Sequence, residues 1–257
     1  MTPAQILFAV GIGLASGMLS GMFGVGGGIV MTPGLQTFLA TSPIAALATP
    51  LPVIFPTAIA GALRYRAAGE LDMRAVRWLV VAGVPAAVAG AAVTEVVPTP
   101  LLLLVTAALL AWQAIGILRG GDTSGRGPDA ATAGTRSLVL TGAAAGFVSG
   151  LLGIGGGLIM VPLLAGWLGM PLKRALGTSL AAIVGMVVPG TIVHAALGNV
   201  AWDIVLALVL GAVPGARIGS MLALRAGERT LRILVGGFMA AVALVYGTQQ
   251  VRDLTLG

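Results

Sequence analysis

The sequence has no cysteine, a single histidine and only eight acidic residues among 257. The absence of cysteine excludes disulfides, thiol chemistry and cysteine-based metal sites. Charged residues of both signs make up 9% of the chain, whereas hydrophobic residues make up 58% and the mean hydropathy is +1.05. This composition excludes an ordinary soluble domain and is typical of a polytopic membrane protein.

The few carboxylates lie in unfavourable places for ion coupling. Six lie in or beside loops and two mark the ends of apolar segments: Glu70, Asp72, Asp122, Asp129, Glu228 and Asp253, then Glu95 and Asp203. A sodium site or a carboxylate proton relay needs an acid at mid-depth in the membrane, so neither is expected here.

Apolar segments long enough to cross about 30 Å of hydrocarbon follow one another along the chain. We predict all of them to be helical, because backbone amides in lipid need partners within their own segment. The first 63 residues carry no charge, so a cleavable signal peptide is not expected and the N-terminus belongs to the fold. The predicted segments are 4–20, 29–40, 44–63, 75–95, 100–118, 137–149, 158–169, 175–197, 202–224 and 230–250.

One short motif occurs twice and organises the chain. Residues 20–33 read SGMFGVGGGIVMTP, and residues 149–162 read SGLLGIGGGLIMVP. The same offset of 129 residues continues without a gap through Thr49 and Thr178 to Gly90 and Gly219. The protein is therefore a tandem duplication, with a first membrane repeat at 1–118, a linker at 119–136 and a second repeat at 137–257.

In each repeat the first two segments are short and are joined by the glycine run. This pattern predicts a re-entrant hairpin or a broken helix, because glycine adopts backbone angles that other residues avoid. The alternative is that the glycines only allow neighbouring helices to pack closely. Four glycines in five positions exceed what packing requires, which favours the break.

The positive charge of the chain, a net +6, lies in short loops rather than in one patch. We interpret these groups as topology signals and expect no nucleic-acid binding. If each opening pair of segments returns to its starting side, all four groups fall on one face. The groups are Arg64, Arg66, Arg74 and Arg77; Arg119, Arg126 and Arg136; Lys173 and Arg174; and Arg225, Arg229 and Arg232.

The positive-inside rule makes that face cytoplasmic and places both termini outside, in a multi-pass protein of the cell inner membrane. The linker, which is the only clearly polar stretch, is then cytoplasmic and solvent-exposed. Each repeat makes an odd number of crossings, so the two repeats have opposite orientations. Such inverted repeats are characteristic of secondary transporters, which bind substrate near the midplane.

Helices that begin at the end of a glycine run direct their first amides and a partial positive charge toward the run. Two such ends at mid-depth predict an anion-binding site built mainly from backbone. Ser20 and Ser149 are nearby hydroxyl donors. The predicted substrate-binding glycines are Gly24, Gly26, Gly27, Gly28, Gly153, Gly155, Gly156 and Gly157. A phosphate-binding nucleotide loop is excluded because neither run is followed by Lys-Ser/Thr.

Other polar residues are weaker candidates. Thr49 and Thr178 either cap a helix or line a pore, and Gln113 is a polar residue in an apolar span. Arg217 either snorkels to the interface or contacts the anion. His194, near an outer helix end, is expected to have a structural rather than a proton-relay role.

The paired Ser-Gly-x-x-Gly-x-Gly-Gly-Gly motifs, each followed by proline, resemble those of the TauE/SafE family of sulfite and organosulfonate exporters. The resemblance covers essentially the whole chain. It implies transport of a small sulfur-containing anion such as sulfite, sulfoacetate or a related sulfonate. It assigns no role to Arg217, Gln113 or His194.

The sequence thus predicts an all-α polytopic membrane protein with two inverted repeats, each a glycine-rich hairpin followed by three transmembrane helices. We expect a non-enzymatic exporter of a small sulfur-containing anion that works by alternating access in the lipid bilayer, without cofactor or metal. A homodimer is compatible with such a bundle. The alternatives are a channel or importer of another small anion and, more remotely, an intramembrane hydrolase using His194 with Ser20 or Ser149.

Overall fold

The structure is a computed structural model that describes residues 1–94, 111, 115, 134–152 and 156–256. Within these ranges every regular element is helical, which confirms the predicted all-α membrane fold. The elements are α1 Pro3–Phe23, α2 Gly28–Leu39, α3 Pro43–Ala48, α4 Pro50–Ala67, α5 Met73–Thr94, α6 Thr135–Leu152, α7 Gly157–Pro162 with a π-helical turn Leu163–Trp167, α8 Leu172–Ala196, α9 Trp202–Arg225 and α10 Glu228–Leu256. The predicted segment 100–118 lies almost entirely outside the described residues.

Five stretches of the described chain are long and apolar enough to cross a membrane: Pro3–Phe23, Ile44–Ala67, Met73–Gly90, Leu172–Ala196 and Trp202–Arg225. The first of these corrects one expectation. α1 has 21 residues and is a full-length candidate span, so the opening segment is not short. The short arm is α2, whose 12 residues end at Leu39 and are followed by Ala40, a residue with φ of +48°.

Each repeat packs its first helix against a helix of the other repeat. α1 of the first repeat lies against α9 of the second. The helix equivalent to α1 in the second repeat, α6, lies against α5 of the first. Glycines make these contacts close: a β-carbon added at Gly17 would lie 2.8 Å from Ala212 Cα, and one at Gly146 would lie 2.6 Å from Gly83 Cα. These two contacts are related by the repeat offset, so the duplication visible in the sequence is also present in the packing. α1 is therefore an integral part of the bundle.

The two equivalent helices α4 and α8 pack directly against each other at the centre. Their contacts pair Leu51 with Gly190 and Gly61 with Leu180, so the two helices run antiparallel. These two contacts are related to each other by the repeat offset of 129 residues.

Three hydrogen bonds gather the basic ends of the helices at one end of the bundle. Lys173 Nζ donates to the Leu224 carbonyl at 2.7 Å, which joins the start of α8 to the end of α9. Arg74 Nη2 contacts Thr135 Oγ1 at 3.3 Å, which joins the starts of α5 and α6. The amide of Asp72, between α4 and α5, donates to Thr178 Oγ1 of α8 at 3.1 Å. These bonds join the helix ends that carry Arg74 and Lys173 to their neighbours.

Gly17→Ala is expected to destabilise the protein by about 1–3 kcal/mol, because the added methyl would overlap the α9 backbone. Gly11→Ala is the matched control on the same helix, since a β-carbon there would have no neighbour within 4 Å. Thermal unfolding in detergent should show a lower midpoint for the first variant and an unchanged or higher one for the second. Equal midpoints would contradict the close α1–α9 contact.

Candidate anion site

The candidate site is the first glycine run, which connects α1 to α2. Gly24, Gly26 and Gly27 have φ values of +71°, +82° and +82°, a region that side-chain-bearing residues rarely adopt. The run ends α1 at Gly24 and begins α2 at Gly27. The predicted break is thus confirmed here, and we refer to Gly24–Ile29 as the first glycine loop.

The first glycine loop lies deep in the bundle. A β-carbon at Gly26 would lie 3.5 Å from Ile54 Cγ2 and 3.6 Å from Ile183 Cγ2. Ile54 and Ile183 are related by the repeat offset, are fully buried, and each lies near the middle of a candidate membrane span. The loop therefore lies at about mid-depth between the two repeats.

The second glycine run approaches the same point. A β-carbon at Gly157 would lie 2.5 Å from Ile183 Cδ1 and 2.8 Å from Val25 Cα. Gly156, which precedes α7, has φ of +71° and lies against Ser149. Gly153 and Gly155 lie outside the described residues. The structure thus brings the described parts of both predicted runs together.

The first glycine loop carries a row of hydrogen-bond donors. Within the described chain, the backbone amides from Val25 to Ile29 have no acceptor, although all five residues are buried. Ser20, on the last turn of α1, packs its Cβ against the position that a Gly27 side chain would occupy. Its hydroxyl is also fully buried without a partner. Buried donors without acceptors are rare in proteins, and successive amides in such a turn can bind an anion.

Two other serines fix the loop by binding its carbonyl groups. Ser16 Oγ donates to the Gly27 carbonyl at 2.6 Å, and Ser179 Oγ donates to the Gly24 carbonyl at 2.8 Å. The serine hydroxyls thus occupy two carbonyl oxygens of the loop. Ser16, Ser179, Ile54 and Ile183 were not among the sequence-predicted site residues, because nothing in their type or spacing marks them.

Thr49 and Thr178 have a role that the sequence did not indicate. Thr49 Oγ1 accepts from the Ala201 amide at 3.2 Å, and Thr178 Oγ1 accepts from the Asp72 amide at 3.1 Å. Both pairs are related by the repeat offset, so each threonine binds the backbone just before a long helix of the other repeat. Neither hydroxyl caps its own helix, so the capping interpretation is wrong.

The remaining candidates do not join the glycine loops. Arg217 is exposed on α9, and Gln113 lies outside the described residues. His194 lies at the end of α8, about 16 Å along the helix from Ile183 at 1.5 Å per residue. Its Nδ1 contacts Asn199 Nδ2 at 3.4 Å. The geometry therefore places this imidazole far from Ser20.

A separate cleft of about 530 Å³ opens between α1 and α2. Its lining is almost entirely apolar and includes Phe8 and Phe38, whose rings stack at 5.7 Å. Both rings are more than half exposed. This cleft offers little that would bind an anion, so the buried loop rather than this cleft is the candidate site.

Helices long enough to span a membrane and a donor-rich loop between two related halves are features of membrane transporters. The sequence matches the family described as "Sulfite exporter TauE/SafE" over residues 9–246. The chain therefore belongs to the TauE/SafE family.

Relatives across bacteria and archaea are described as probable membrane transporter proteins. One from Xylella fastidiosa strain Temecula1 is 30% identical over 253 residues, which are 95% of each chain. YunE of Bacillus subtilis is 27% identical and covers 97% of this chain and 98% of its own. A protein of Methanocaldococcus jannaschii is 24% identical and covers 91% and 92%. No solved structure matches the chain.

Proposed function

We propose that the protein is a secondary transporter that exports a small sulfur-containing anion, either sulfite or an organosulfonate, across the inner membrane. The observation that carries the proposal is the row of buried amides in the first glycine loop that have no acceptor among the described residues, next to the buried Ser20 hydroxyl. α2 adds the partial positive charge of a helix N-terminus at the same place. Sulfur oxyanions present several acceptor oxygens to such donors, and the family description favours sulfite.

Alternating access is supported by the relation between the repeats. The antiparallel packing of α4 and α8 fits an inverted repeat whose axis lies in the membrane plane. The basic end of the bundle then faces the cytoplasm and both termini lie outside. Rocking of the two halves would expose the glycine loops to each side in turn.

An interior-negative membrane potential favours this direction of transport. Outward movement of one negative charge is downhill by roughly 2.3 kcal/mol per 100 mV. Export therefore needs no coupling ion, in agreement with the absence of described carboxylates from the buried interior.

A channel is the main alternative. A channel would need a continuous path past Ile54 and Ile183. Both side chains are fully buried and pack against the first glycine loop, so this path is closed. The closed contact favours a carrier that opens to one side at a time. An intramembrane hydrolase is disfavoured because His194 lies far from Ser20.

Flux from proteoliposomes under an imposed potential tests the proposal. Sulfite, sulfoacetate, taurine, sulfate, phosphate and chloride are compared with protein-free vesicles. Saturable flux selective for a sulfur oxyanion, with counterflow, is expected. Equal flux of all anions would indicate a channel, and absence of flux for every sulfur anion would overturn the proposed substrate class.

Ser20→Ala is expected to weaken apparent anion affinity by about tenfold or more, since a hydrogen bond to a charged group contributes about 1.5–3 kcal/mol. Stability should hardly change, because this hydroxyl has no partner among the residues that the structure describes. Thr141→Val is the matched control: Thr141 is another buried hydroxyl without a partner, but it lies on α6. If both variants transport with wild-type affinity, Ser20 does not bind the anion.

A further inference from the structure

The buried polar side chains of the described chain share one property: all of them are hydroxyl groups. They are Ser16, Ser20, Thr49, Thr57, Thr141, Ser149, Thr178, Ser179 and Ser220. No lysine or arginine of the described chain is buried. The basic side chains lie at the helix ends or, like Arg217, on the outer surface. The first glycine loop therefore offers hydrogen-bond donors and a helix dipole, but no full positive charge.

In the core cluster of described residues that includes Val25 and Ile29 of the loop, the one titratable side chain is Tyr65 of α4, whose hydroxyl donates to the Gly21 carbonyl of α1 at 3.0 Å. α1 contributes Ser16 and Ser20, α4 contributes Ile54, and α8 contributes Ser179 and Ile183. α7 approaches with Gly157. None of these described side chains is charged near neutral pH, so the anion sets the charge of the occupied site there.

The charge of the anion decides how much binding there costs. The Born cost of transferring an ion out of water rises with the square of its charge, so a compact dianion costs about four times as much as a monoanion of equal size. The attraction to fixed donors and to one helix dipole rises only in proportion to the charge. Without a buried cation, a second negative charge on the oxyanion raises the free-energy cost of leaving water by more than it raises the attraction to the site.

We propose that the first glycine loop selects singly charged oxyanions and rejects compact dianions. Hydrogen sulfite and sulfonates with a single charge on an R–SO3 group fit the site, whereas doubly charged sulfite, sulfate and hydrogen phosphate do not. The inference rests on the proposed function and specifies the ionic form that the site accepts. One negative charge then moves outward per transport cycle.

Sulfite provides a direct test because its second ionisation lies near neutral pH, so one compound supplies both ionic forms. Each pH unit above that ionisation lowers the hydrogen sulfite fraction by about tenfold. Methanesulfonate stays a monoanion throughout and controls for any titration of the protein. Protein-free vesicles control for leakage of neutral sulfur dioxide.

Flux of each compound is measured at a fixed total concentration from about pH 6 to about pH 9, with equal pH on both sides. Sulfite flux is expected to fall by about tenfold or more over this range, whereas methanesulfonate flux should change less than about twofold. Sulfate should move at no more than about a tenth of the methanesulfonate rate. Ser20→Ala should lower methanesulfonate and hydrogen sulfite flux by the same factor, which assigns both to one site.

The outcomes separate the two proposals. Sulfite flux that is constant or rises with pH, together with normal methanesulfonate flux, would overturn the charge selectivity and leave the transporter standing. Sulfate flux equal to that of methanesulfonate would do the same. Absence of flux for sulfite and methanesulfonate at every pH would overturn the proposed function itself.

Discussion

Replacing Gly26 by leucine is expected to lower anion transport by about a hundredfold or more while the protein still inserts into the membrane, since misplacement of a positioned site by about 1 Å has effects of this size. Two physical reasons combine. Gly26 has φ of +82°, where a side chain costs about 1–2 kcal/mol. A leucine side chain would also enter the space held by Ile54 and Ile183, only 3.5 to 3.6 Å from the first added carbon.

Gly69→Leu is the matched control for this variant. Gly69 has φ of +74° and thus a similar backbone cost, but a β-carbon there would have no neighbour within 4 Å. Flux in proteoliposomes and the amount of monodisperse protein are measured for both. Loss of flux in the Gly26 variant alone is expected. Normal flux in that variant would remove the first glycine loop from the mechanism.

Shortening both central isoleucines to alanine is expected to produce an anion leak. Ile54 and Ile183 lie fully buried against Gly26 at mid-depth, in the place where a hydrophobic constriction would stop hydrated ions. Removing both side chains opens that constriction and should raise non-saturable flux of chloride and sulfate by about tenfold or more. Ile→Val at both positions keeps most of the bulk and should not leak.

Loss of stability is a separate effect of the double alanine variant, because each truncation of a buried isoleucine costs about 2–5 kcal/mol in well-packed cores. Leu79→Ala controls for it. Leu79 is equally buried but belongs to a different cluster, with Leu138 and Leu164. A comparable leak in the Leu79 variant would show that leakage reflects loosened packing rather than an opened gate.

The positions of the helices were predictable from the sequence because hydropathy and the repeat offset indicate them independently. The segment predicted at 75–95 is α5 Met73–Thr94, and the one predicted at 202–224 is α9 Trp202–Arg225. The length of α1 was not predictable in the same way. Gly13, Gly17 and Gly21 weaken a helix in isolation, but here they pack against α9 and stabilise it through close contact.

The site was predictable only as far as glycine marks it. Positive φ angles favour glycine, so the break at Gly24–Gly27 is visible in the sequence. Ile54 and Ile183 are two apolar residues among many, and only the fold places them together. Thr49 and Thr178 form a repeated pair in the sequence, but their partners, the amides of Ala201 and Asp72, are distant in sequence.

Binding of the transported anion by the amides of the first glycine loop is tested most directly by the amide resonances of 15N-glycine-labelled protein in lipid nanodiscs. The resonances of Gly26, Gly27 and Gly28 should shift saturably as methanesulfonate is added, while those of Gly11 and Gly69 stay in place. Ser20→Ala should move the midpoint of the titration to higher concentration. Unchanged resonances of the loop glycines in protein that still transports methanesulfonate would contradict such binding.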